Sequence, residues 1–160
     1  MVENSPEPKA VAAEAEKGYD LMIVGVEKIV ARRNQFHDDV AGLAAGFEGP
    51  IAITDVRDKL LDHPLHGKLA MLVPVNGTEM SRRAAEIAIA MARASKASLT
   101  ALYVAPGGKK KRSRQYEEAI LKDIVDLAES YDLELRTMVR ADVAAEEAIL
   151  KELARGKHNV

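Results

Sequence analysis

Among side chains able to do chemistry, the histidines come first, because a metal centre or a general base would draw on them. His37 stands directly before Asp38, but the pair falls at the start of a helical stripe, where an acid caps the helix and a histidine faces solvent. His63 and His66 lie in a stretch of poor periodicity that reads as a linker, with no metal-ligand pattern around them. Ser81 and Ser95 lack the G-x-S-x-G turn that presents a nucleophilic serine. The chain has no cysteine, so it has no thiolate nucleophile, zinc thiolate site or disulfide, which suits a reducing compartment. No catalytic constellation emerges, and the expectation is a protein that is not an enzyme.

Charge narrows the partners. Twenty-five acidic against twenty-three basic side chains leave a net charge of −2, so no long-range field gathers nucleic acid or anionic lipid. One basic cluster stands out: Lys109, Lys110, Lys111, Arg112 and Arg114 follow Gly107 and Gly108. It reads as a solvated mobile loop, with a phosphate or anion patch as the alternative. No run approaches the ~18 apolar residues of a membrane span, and residues 1–14 carry prolines and acids where a signal peptide needs basic and then apolar residues. A cytoplasmic location is expected, without membrane insertion.

Any site must be positioned by five apolar stretches, residues 21–26, 51–54, 69–75, 99–104 and 133–139. Three of them, LMIVGV, LAMLVPV and LTALYV, are almost continuously apolar, as strands covered on both faces of a parallel sheet should be. These three are expected at the centre. Residues 133–139 alternate and 51–54 are few, so both are expected at edges. Between strands the period becomes helical: Phe36, Val40, Leu43, Ala44 and Phe47; Ala84, Ile87, Ala88 and Met91; Tyr116, Ile120, Ile124, Leu127 and Tyr131; Ile149, Leu150 and Leu153. Ser113 with Glu117 and Glu118, and Asp142 with Glu146 and Glu147, supply start signals for the last two, and a weaker helix is expected over 7–17. The alternation implies βαβ crossovers and an α/β, doubly wound parallel sheet. Expected core residues include Leu21, Ile23, Val24, Leu72, Val73, Leu102 and Val104, with Phe36, Phe47, Ile87 and Met91 from the helices.

The end of the chain echoes its beginning. With Leu21 laid on Val160, Glu7 falls on Glu146, Val11 on Leu150, Ala15 on Ala154 and Asp20 on Asn159. A repeat one domain long suggests a window from a tandem array.

The stretch KLAMLVPVNGTEMSRRAAEIAIAMARASKASLTALYV, residues 68–104, resembles the opening β-α-β of the universal stress protein family. GYDLMIVGV with FHDDVAGLAAGFEGPIAIT, within residues 18–54, resembles the family's closing β-α-β, so the closing unit comes first here. More narrowly, VPVNGTEMSRRAAEIAIAMARAS, EEAILKDIVDLAESYD and GKHNV are similar to the tandem cytosolic tail of bacterial monovalent cation:proton antiporters, in which such domains follow a membrane transporter. The resemblance implies residues 1–56 as the closing half of one repeat, 57–67 as a linker and 68–160 as the opening part of the next, together one compact domain. It further implies a five-stranded Rossmann-like sheet of the adenine nucleotide alpha hydrolase type, order 3-2-1-4-5, circularly permuted. The stretch from Asp55 to Lys68 between the two strands, some fourteen residues at ~3.3 Å each, is long enough to close that sheet within one chain. Exchange of the same half between two chains, giving a homodimer, is the competing solution.

Doubly wound sheets hold ligands beyond the carboxyl ends of their strands, at the switch in strand order. In the implied topology that crevice gathers Pro74, Val75, Asn76, Gly77, Thr78 and Val104 with Gly25 and Val26, the candidate nucleotide site. Nucleotide-binding members use an acid in the first turn and a glycine-rich loop whose amides hold phosphates. Here Asn76 replaces the acid, residues 26–34 (VEKIVARRN) contain no glycine, and Asp38-Asp39 falls where Gly-Ser is expected. Two carboxylates beside a triphosphate repel it, although Arg32 and Arg33 offset part of this. The expectation is a non-catalytic regulatory or interaction domain without a cofactor, partnered by itself or by an antiporter's membrane part. An ATP- or AMP-binding stress protein is the alternative, and a nucleotide-processing enzyme on the same sheet is third.

Overall fold

Alternating apolar runs and amphipathic stripes become strands and helices in the expected order. The computed structural model describes residues 10, 13, 17–26, 35–45, 47–55, 69–105, 114–141, 143–155 and 158–160. Along the chain they form β1 (Met22–Val26), α1 (Asp38–Ala45), β2 (Ile51–Asp55), β3 (Ala70–Val75), α2 (Glu79–Ser95), β4 (Ser98–Ala105), α3 (Arg114–Ser130), β5 (Leu135–Ala141) and α4 (Ala145–Ala154). Most of the weak helix expected over 7–17, the linker and the basic cluster up to Arg112 lie outside the described residues. So do Ser113 and Asp142; α4 instead starts behind Ala144, which makes no side-chain cap bond, with Glu146 and Glu147 in its first turn. No helix among the described residues is long and apolar enough to cross a membrane.

The β1–β2, β3–β4 and β4–β5 pairings are parallel, as βαβ connections require. The expected single five-stranded sheet is not what the hydrogen bonds build: β1 pairs with β2, and β3, β4 and β5 form a separate ladder in that order. At the outer edge of β3, where β1 was expected, Leu72 N–H donates to the Val160 carbonyl at 2.8 Å and Asn159 N–H to the Ala70 carbonyl at 2.9 Å. The Asn159 side chain adds a third bond, its Oδ1 accepting from Ala70 N–H at 2.8 Å. Peptide groups alternate along a strand, so Pro74 is the next position to face this edge, and it has no N–H to offer. Thus among the described residues β4 is the central strand of its ladder, while β3 and β1, also expected at the centre, are outer strands and β5 is an edge as expected.

Burial follows neighbours. Met71, Val73 and Val75 of β3 and Leu99, Ala101 and Tyr103 of β4 pack in one core with Ala85, Ile89 and Ala92 of α2 and Ile124 and Ala128 of α3. On the opposite face Leu102 is fully buried, on the side where His158 Nε2 lies 3.2 Å from Thr100 Oγ1. Glu152 of α4 is also buried, its Oε2 accepting from Arg140 Nη2 at 2.9 Å and Arg155 Nη1 at 2.7 Å. Of the expected core, Val73 and Leu102 are buried and most of the others are half-buried. Ile23 is a correction at 60% exposed: among the described residues β1 has a strand on one side only.

Candidate functional site

The turn after β3 is built by short polar side chains. Gly77 takes φ +80, a left-handed angle that a side chain would resist, and lets the chain reverse from β3 into α2. Asn76 Oδ1 accepts from Thr78 N–H at 3.0 Å and from Thr78 Oγ1 at 2.7 Å. Thr78 Oγ1 in turn accepts from Ser81 N–H at 3.2 Å, capping α2. Ser81 closes the ring: its Oγ accepts from Asn76 N–H at 3.3 Å and donates to the Thr78 carbonyl at 2.9 Å. Ser81, weighed in the sequence only as a nucleophile, is a lock on this turn.

Beside the turn, between the start of α2 and α3, lies a cavity of about 280 Å³. Val75, Gly77 and Thr78 line it, as do Ser81, Arg82 and Tyr116. Its rim is tied by Arg82 Nε and Asp123 Oδ2 at 3.1 Å, a pair exposed enough to be worth little in stability. α3 presses on the turn itself, since a Cβ added at Gly77 would lie 2.6 Å from Ile120 Cδ1. Sequence reasoning missed Tyr116, Ile120 and Asp123 here because the α3 stripe read as core; the glycine after an apolar strand was the available signal of a close approach.

The eight candidate residues do not all meet. Val75, Gly77 and Thr78 share this cavity, and Asn76 holds their turn. Pro74 opens instead into a second, apolar cavity of about 210 Å³ at the outer edge of β3. Val104 is half-buried near the end of β4 and lines neither. Gly25 and Val26 lie on β1, paired with Thr54 and Asp55 of β2, and line neither cavity. His37 sits at the start of α1, its carbonyl accepting from Ala41 N–H at 3.0 Å, while His63 and His66 lie outside the described residues. Among the described residues no cluster of three or more histidines and acids is suited to a metal ion.

Residues 70–158, from the first residue of β3 to His158, match the sequence profile of the universal stress protein family. The chain belongs to the universal stress protein family. A search of the curated proteins finds no match to it. As a universal stress protein domain, the matched region supplies β3, β4 and β5 with their three helices, the part whose strands form one parallel ladder. Residues 18–54, resembling the family's closing unit, lie outside the match and form the separate β1–β2 pair. α1 begins at Asp38, so a carboxylate stands at the positive end of that helix's dipole.

Proposed function

We propose that this universal stress protein domain is a non-catalytic regulatory or interaction domain, drawn from the cytosolic tail of a monovalent cation:proton antiporter. The turn after β3 carries the reading. Asn76 offers an amide where nucleotide-binding relatives are expected to offer a carboxylate, and its oxygen is already engaged twice by Thr78. Ser81, the other side chain in reach, is engaged by the backbone on both sides of the turn. With Asp38 at the start of α1 and no glycine in residues 26–34, the residues present do not fit a triphosphate. The same reading makes the domain cytoplasmic and partnered by the transporter's membrane part.

Calorimetric titration with magnesium and ATP, and separately with AMP, tests it: no heat of saturable binding is expected up to millimolar nucleotide. A tight, magnesium-dependent site would make the ATP- or AMP-binding reading the correct one, and release of ADP or AMP would make the protein an enzyme. Membrane-spanning segments encoded upstream of Met1 in the same reading frame are the expected mark of the antiporter.

A further inference from the structure

We propose that β1 adds as a parallel strand to the outer edge of β3 in a second copy of this chain, joining two copies by reciprocal strand exchange. Among the described residues two strand edges are short of partners. There β3 is paired at its outer edge only at Ala70 and Leu72, by Asn159 and Val160. β1 directs Met22 N–H to the Pro50 carbonyl and receives the Thr54 hydroxyl at the Val24 carbonyl, so its even residues face β2. The peptide groups of Leu21, Ile23 and Gly25 therefore face away from β2.

The two edges match in phase. The repeat lays Leu21 on Val160, and Val160 makes both bonds of a parallel rung, its N–H donating to the Ala70 carbonyl at 3.3 Å, where Asn159 N–H also donates at 2.9 Å, and its carbonyl accepting from Leu72 N–H at 2.8 Å. With Leu21 in the place of Val160, Leu21 N–H donates to Ala70, Leu72 N–H to Leu21, Ile23 N–H to Leu72 and Gly25 N–H to Pro74. The Ile23 carbonyl, opposite the imino nitrogen of Pro74, lacks a donor, and the Gly25 carbonyl meets Asn76 N–H, which Ser81 Oγ already holds. The added strand displaces Asn159 and Val160 and extends the ladder past the point where they end.

Side chains match too. The apolar cavity along this edge is walled by Ala84, Ile87 and Met91 of α2 on one face and Ile149 and Leu153 of α4 on the other. A strand entering it is covered on both sides, which is what the continuously apolar LMIVGV requires and what β1 lacks, with Ile23 60% exposed. Ile23 comes to lie opposite Val73, on the α2 side. Within one chain the groove is filled otherwise: Leu21, Phe36, Pro50, Ile51, Ala52 and Ile53 form its near wall and none of residues 22–26 reaches it, so β2 rather than β1 lies against β3, and exchange of the whole half carries that wall away with β1. Complementary edges held apart in one molecule meet between two, and reciprocal exchange closes the assembly at a pair.

The proposal is independent of the antiporter reading and of nucleotide. Sedimentation equilibrium of the intact chain at micromolar concentration is expected to give twice the 17.4 kDa chain mass. Ile23→Lys, at an exposed position and so compatible with folding by circular dichroism, is expected to raise the dimer dissociation constant roughly tenfold or more. Because the chain has no cysteine, mixing Ile23→Cys chains with Val73→Cys chains under mild oxidation tests the register: a 23–73 cross-link can join only two copies. A single species at the chain mass, a dimer indifferent to Ile23→Lys, or a dimer without the 23–73 cross-link overturns the proposal, as does a mass that keeps rising beyond the pair.

Discussion

β1 and β4 are similar in apolar character, MIVGV against SLTALYVA, yet they live in different surroundings. Leu99, Ala101, Leu102 and Tyr103 of β4 are each 1% exposed or less, whereas Ile23 of β1 is 60% exposed. β4 has β3 and β5 on its two edges and packs against α2, α3 and α4. Among the described residues β1 has only β2 beside it and the eight-residue α1 between them. An apolar run therefore specifies a strand, while the number of neighbours the rest of the chain supplies decides how much of that strand is buried.

The most direct way to break this comparison is to truncate one residue in each strand. Leu102→Ala should cost about 2–5 kcal/mol, through lost transfer energy and the cavity left behind. Ile23→Ala, measured where the chain is monomeric, should cost no more than about 0.5 kcal/mol. Urea denaturation measures both, and equal losses would mean that β1 is as enclosed as β4. Within the β3–β4–β5 layer, Glu152→Gln should cost about 1–3 kcal/mol, since it withdraws charge from Arg140 and Arg155 around a carboxylate that is 2% exposed. The arginines are 34% and 54% exposed and can rehydrate, which keeps the figure below that of a fully buried pair.

The contrast also explains what was legible in the sequence. Among the described residues each strand and helix was readable from period, with β5 starting two residues later than expected, because propensity and pattern agree there. Strand order was not, since apolarity on both faces marks a strand that wants two covers and does not say which strand provides a neighbour. One local signal was available: Pro74 cannot donate to a ladder, so the strand containing it reads as an edge, and β3 is the outer strand of its ladder. At the candidate site, Asn76, Gly77 and Thr78 were identifiable as a turn. That Ser81 locks it and Ile120 presses on it depends on tertiary placement of α3, which period cannot supply.

The turn gives finer tests of the better-packed region. Gly77→Ala should cost about 1–2 kcal/mol from its left-handed backbone alone, with more because the added Cβ would lie 2.6 Å from Ile120 Cδ1. Thr78→Ala removes the α2 cap and should cost about 1 kcal/mol. Thermal melting checks both, and an unchanged midpoint for Gly77→Ala would mean that α3 does not close over the turn.

The smallest expected change is the most informative about function. Asn76→Asp restores the acid expected of nucleotide-binding relatives while keeping an oxygen for the two Thr78 donors, now accepting as a carboxylate. The new charge lies just before α2, where the helix dipole favours an anion by about 0.3–1 kcal/mol, partly screened because the turn is exposed. Melting should therefore move by no more than about 0.5 kcal/mol equivalent, upward if at all. Calorimetry with magnesium and ATP should still show no tight site, since the substitution leaves residues 26–34 without glycine and Asp38 at the start of α1. Nucleotide binding gained by this one change would locate the whole defect in the β3 turn and acquit the β1–α1–β2 half. Binding gained only when Asp38→Ser and Asp39→Ser are added would locate it in both halves, because phosphate then meets helix amides free of competing carboxylates.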